Sequence, residues 1–255
     1  MTITLPALNG IVLVYLLVFC RLGAMIMLMP AIGDRVVPAR VRLALALAVT
    51  MVFAPAVEGS YTRLSPQSVP ALAVLVVWEI TIGLLIGAMA RIVTSALSVA
   101  GIFIATQTGL ALAQTFDPTS NADQGAILGN FLALLGTVVV FAANLHYLAI
   151  GAVFGSYHLI PPGTPLPTSD MAELTIRFVS EAFLLGFQLA APFIVFTFVV
   201  NAAFGVLSRL MPQLQIFFVV MPINVLFGFM LLALFLGTMM TLYLDFFSGH
   251  LGVLQ

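Results

Sequence analysis

The chain has 255 residues, 62% of them hydrophobic and only 7% charged, with eight basic residues that are all arginine against nine acids. Soluble domains carry about 25% charged residues, so this composition argues against a soluble globular fold, and its near-neutral balance argues against a nucleic-acid partner, which needs a basic footprint. Cys20 is the lone cysteine, which leaves no disulfide framework and no cysteine metal site.

The start, MTITLPALNG, lacks the basic n-region of a signal peptide, and the first apolar run is expected to stay attached as a helix. Taken in order, the apolar tracts predict about six long helices arranged as hairpins, an all-α membrane-associated bundle. The first covers roughly Leu8 to Ile32 and the second Val41 to Val57. A third tract runs from Val69 to about Gln114, a fourth from Ala126 to Ile160, a fifth from Met171 to Leu210 and a sixth from Pro212 to Phe247. Gly33-Asp34 with Pro38, Glu58-Gly59-Ser60 with Pro66 and Pro70, Asp117-Pro118 to Asn121, and Pro161-Pro162-Gly163 supply the turns between them.

A membrane span needs about 20 apolar residues, and the third tract is about twice that. It either folds back near Arg91 or forms one long helix that outruns the bilayer. Basic residues favour the cytoplasmic side. One long helix gathers Arg35, Arg40, Arg42 and Arg209 at a single end, leaving Arg63 at the other, and is the reading preferred here.

Charged residues inside apolar segments are costly and face protein or water. Arg21, Glu79, Arg91, Arg177 and Glu181 are such residues. Arg91, Thr94, Ser95 and Ser98 form one polar stripe at helical spacing, and Arg177 and Glu181 lie one turn apart. These serve either as ion pairs and helix–helix hydrogen bonds or as a water-lined or subunit-facing surface. Gly83 and Gly87, and Gly151 and Gly155, have the GxxxG spacing that lets helices approach closely, and Gly101 and Gly109 extend the theme. The methionines and phenylalanines read as filler in apolar contacts.

His146, His158 and His250 are scattered without metal-ligand spacing, and Gly155-Ser156-Tyr157-His158 is not a nucleophile elbow. No catalytic, metal or cofactor site is visible, and none is expected. A small-solute secondary transporter is the alternative from another class. Such proteins usually show two similar halves with matching broken helices, and the chain shows no such symmetry.

Several segments together carry a family resemblance. They are MPAIGDRVVPARVRL from Met29 to Leu43, Trp78-Glu79 followed by Gly83 and Gly87, Gln107-Thr108-Gly109 leading to Asp117-Pro118, and Arg209 with Pro212-Gln213 and Pro222. In this order, over nearly the whole chain, they resemble the FliR family of flagellar biosynthetic proteins, the R subunit of the type III secretion export gate. Where many members carry Gly-Glu this chain has Gly101-Ile102, so no acidic role carries over to that position.

The resemblance implies a subunit without enzymatic activity in a channel for unfolded flagellar proteins. Its implied partners are the P and Q subunits (FliP, FliQ), the FlhB switch protein and membrane lipid. It implies residence in the bacterial inner membrane at the flagellar basal body, with much of the bundle toward the periplasm. Residues 1–168 would form a P-like part and 169–255 a Q-like hairpin. The segment holding Gln107, Leu110, Leu112, Phe116, Asp117, Pro118 and Asn121 would plug the channel, and Arg209, Pro212, Gln213 and Gln215 would form the cytoplasmic tip of the last hairpin.

Overall fold

The computed structural model describes residues 10–34, 36–61, 68–110, 127–165, 167–210 and 216–252. All regular structure among these residues is helical, as hydrocarbon surroundings demand, because a helix pairs its backbone groups within itself. In chain order the helices are α1 (Gly10–Leu28), α2 (Ala39–Tyr61), α3 (Val69–Gln107), α4 (Ile127–Ala142), α5 (His146–Leu159), α6 (Thr168–Leu210) and α7 (Ile216–Gly252). Five of them (α1, α2, α3, α6 and α7) are long and apolar enough to cross a membrane. Pro55, Pro192 and Pro222 lie inside α2, α6 and α7. Spanning helices tolerate them because neighbouring groups re-satisfy the freed carbonyls.

The third tract is one helix of 39 residues with no break at Arg91. It ends earlier than Gln114. Thr108 N–H donates to Ile104 O at 2.9 Å, and Gly109 takes φ 76°. That left-handed turn suits glycine, and it stops the ladder.

The fourth tract is not a single helix. It breaks at residues 143–145, where Asn144 adopts φ 59° and its N–H turns back to Phe141 O at 3.1 Å. One left-handed residue is enough to end an α-ladder, and asparagine is among the few non-glycines that enter that region routinely. The ladder resumes with Tyr147 N–H donating to Asn144 O and Leu148 N–H to Leu145 O.

The chain divides into two compact units, Met1–Val93 with Phe141–Phe178 and Phe247–Gln255, and Thr94–Val140 with Val179–Phe246. In the first, α1 buries Leu17, Val18, Leu22 and Met25 against α2 and α3. Gly83 and Gly87, one turn apart on α3, meet the α1 stripe of Arg21, Ala24, Met25 and Leu28. A Cβ at Gly83 would collide with the Arg21 carbonyl, and one at Gly87 would stand 2.8 Å from the Met25 carbonyl. Only hydrogen fits, and the two backbones touch.

In the second unit the remainder of α3 is gripped on several sides. Gly101 lies against the backbone of Gly129 on α4, and a Cβ at Gly186 of α6 would sit 2.9 Å from Ala96 O. Phe103 stacks edge-on to Phe183 at 6.1 Å and to Phe187 at 5.8 Å. Tyr243 of α7, fully buried, has its hydroxyl 3.3 Å from Thr94 Oγ1.

Candidate functional site

Two polar sites stand out from the apolar packing, one in each unit. The first centres on Arg21, which is 0% exposed. Glu79 lies one helical turn before Gly83 and two before Gly87 on α3, so all three share the face turned to α1. The close approach that the glycines allow brings the Glu79 carboxylate within reach. Arg21 Nε donates to Glu79 Oε2 at 2.5 Å, Nη1 donates to Ser156 Oγ at 2.9 Å, and Nη2 reaches Ile160 O at 3.4 Å.

Ser156 donates its own O–H to Val153 O at 2.6 Å, which leaves its lone pairs for the arginine. Ile160 caps the C-terminal end of α5, where backbone carbonyls favour a cation. The guanidinium carbon lies 4.0 Å from the Tyr157 ring centroid, a cation–π distance, and Tyr157 in turn meets Tyr61 edge-on at 5.9 Å. Four helices thus converge on one buried cation, which is matched by one carboxylate and several dipoles.

The second site is a cavity of about 260 Å³ where α3 ends, lined by Thr106, Gln107, Gly109, Thr197, Asn201, Val220, Met221 and Asn224. Thr197 on α6 donates its hydroxyl proton to Gln107 O at 3.2 Å, crossing to the last carbonyls of α3. Asn224 and Gly228 lie one turn apart on α7, and a Cβ at Gly228 would strike the Thr108 side chain, so α7 rides directly over the end of α3. Asn224 is 8% exposed, and its Oδ1 is buried with no hydrogen-bond partner among the described residues. None of the residues lining the cavity is charged.

The sequence-derived candidates distribute as follows. Glu79, Gly83 and Gly87 belong to the Arg21 site, and Gln107 and Gly109 to the cavity. Gly101 is a helix contact, Gly155 is buried and Gly151 half-buried on α5. Open space surrounds the position of a Cβ at Gly109, where the backbone conformation is the constraint instead. Arg91 reaches Asp34 at 3.4 Å, with both side chains about half exposed. Arg177 is exposed and Glu181 half-buried on α6, and Arg209 is exposed in its last turn.

Leu110 is half-buried. Leu112, Phe116, Asp117, Pro118, Asn121, Pro212, Gln213 and Gln215 lie outside the described residues. Ser156, Tyr157, Tyr61, Thr197 and Asn201 were not singled out as site residues by sequence. Glu79 at the head of the glycine series was the available signal for the first site.

The profile of the bacterial export proteins, family 1, matches residues 12–250. The flagellar biosynthetic protein FliR of Caulobacter vibrioides is 42% identical over 229 residues, covering 90% of this chain and 90% of that protein. FliR of Escherichia coli is 31% identical, covering 84% of this chain and 80% of its own length, and FliR of Bacillus subtilis is 26% identical, covering 92% and 90%.

Proposed function

The chain belongs to the bacterial export proteins, family 1, and on that premise we propose that it is a subunit of the flagellar protein export gate, helping to form and close the channel for unfolded flagellar proteins. The observation that carries this reading is the match along 12–250, which takes in both the Arg21 site and the cavity at the end of α3. The resemblance brings with it the P and Q subunits and the FlhB switch protein as partners, and the inner membrane at the flagellar basal body as location. It also brings the division into a P-like part (1–168) and a Q-like hairpin (169–255).

In this role the chain acts by shape rather than by chemistry. Buried charge fixes helix register, and apolar faces meet lipid or neighbouring subunits. The segment beyond Gln107 serves as a plug, closing a constriction by excluding water. The relatives named above are flagellar proteins, and nothing in them supports a small-solute transporter.

Deleting the gene should abolish secretion of flagellar proteins, and the affinity-tagged chain should restore it and copurify with P and Q subunits. A deletion strain that still secretes, together with a tagged chain that comes out alone, would overturn the reading. Deleting residues 112–121 within an assembled gate should make the membrane leaky to small solutes, and an intact permeability barrier would reduce that segment to a connector.

A further inference from the structure

We propose that the cavity at the end of α3 binds a hydrated monovalent cation. Its walls offer oxygen. Gln107 contributes a carbonyl from the last turn of α3, where the macrodipole places partial negative charge. The Thr197 hydroxyl already donates its O–H to that carbonyl, which leaves its lone pairs free to accept. Asn224 Oδ1 is the strongest indication. Asn224 lines the cavity, is 92% buried, and its amide oxygen is shut off from bulk water with no donor among the described residues. Burying such a group unsatisfied is costly, and a cation would remove the cost.

The same lining selects among ligands. An anion would face carbonyl and hydroxyl oxygens at the negative end of a helix. A divalent ion calls for carboxylates, and none of the residues lining the cavity has one. The volume of about 260 Å³ is far larger than a bare ion but holds one with several waters, each needing about 30 Å³. Thr106, Asn201 and the Gln107 amide can hydrogen-bond those waters. Val220 and Met221 supply the apolar part of the lining. The ends of broken or terminating helices, with their free carbonyls, serve as cation sites in membrane proteins on the same physical grounds.

The test uses the full chain purified in detergent, with sodium or potassium chloride exchanged for N-methylglucamine chloride at constant ionic strength. Thermal unfolding should shift upward saturably with the alkali cation alone. Asn224→Leu should abolish the shift. Asn224→Asp keeps the shape and adds a charge, and at alkaline pH it should lower the half-saturating concentration about tenfold. Should the leucine variant fail to fold, the aspartate variant decides. A wild-type midpoint indifferent to the cation, or a half-saturating concentration unchanged in Asn224→Asp, means that the cavity holds water only and overturns the proposal.

Discussion

Both units of this chain pack helices through glycines, and they differ in what they add to that contact. The first brings its helices together around a full positive charge, Arg21, answered by Glu79 and by the polar ends of α5. The second joins α3 to α4, α6 and α7 through glycines, stacked rings, a tyrosine hydroxyl and uncharged amides. An ion pair in an apolar interior tolerates one register, because any slip leaves a charge without its partner. A glycine contact is indifferent to polarity but admits almost no added volume. The first unit, whose Gly83 and Gly87 contacts are as tight, should therefore fail by electrostatics as well as by sterics, and the second by sterics alone.

The largest expected effect tests the electrostatic half. Arg21→Leu or Glu79→Leu alone strands a buried charge and should cost about 3–5 kcal/mol, whereas the double replacement should recover most of that loss. Thermal unfolding of the detergent-purified variants checks it, and equal stability of either single variant and wild type would erase the contrast. The steric half is tested by Gly101→Ala, whose methyl is driven into the Gly129 backbone, at about 1–3 kcal/mol for overpacking. Gly109→Ala is its control, since open space surrounds the added methyl and only the left-handed backbone penalty of about 1–2 kcal/mol applies. Limited proteolysis should then show loosened α3–α4 packing in the first variant alone.

The smallest effect sharpens the first comparison by removing burial from it. The Arg91–Asp34 pair, 51% and 47% exposed, carries the same charges as the Arg21 site in the company of solvent. Asp34→Ala should cost about 0–1 kcal/mol and lose even that in high salt. A cost approaching that of Glu79→Leu would mean that charge, rather than burial, governs the first unit.

Much of this was legible before the fold was known, and the limits follow from distance along the chain. Helix positions were readable from the apolar tracts, and Gly83 and Gly87 from their spacing, because those signals are local. The break at Asn144 was not, since Ala-Ala-Asn-Leu holds neither glycine nor proline and the left-handed residue is one of several that could have stayed helical. Arg21 and Glu79 were each recognisable as misfits in hydrocarbon, but their pairing spans 58 residues and Ser156 lies 135 away from Arg21. No periodicity encodes such a partner. Asn224 lies only 15 residues after Arg209 in sequence, yet it is buried within α7 while Arg209 is exposed at the end of α6.

The burial of Arg21 also imposes a schedule on biosynthesis. α1 leaves the ribosome carrying a guanidinium whose counter-charge is encoded 58 residues later and whose hydroxyl acceptor is encoded 135 residues later. At a synthesis rate of about 5–20 residues per second, the wait for Glu79 lasts roughly 3–12 s. During that interval a lone arginine released into lipid would bear an insertion penalty of about 2.5–3.5 kcal/mol without its carboxylate. The carboxylate that matches the arginine becomes available to the first helix only once α3 has been made.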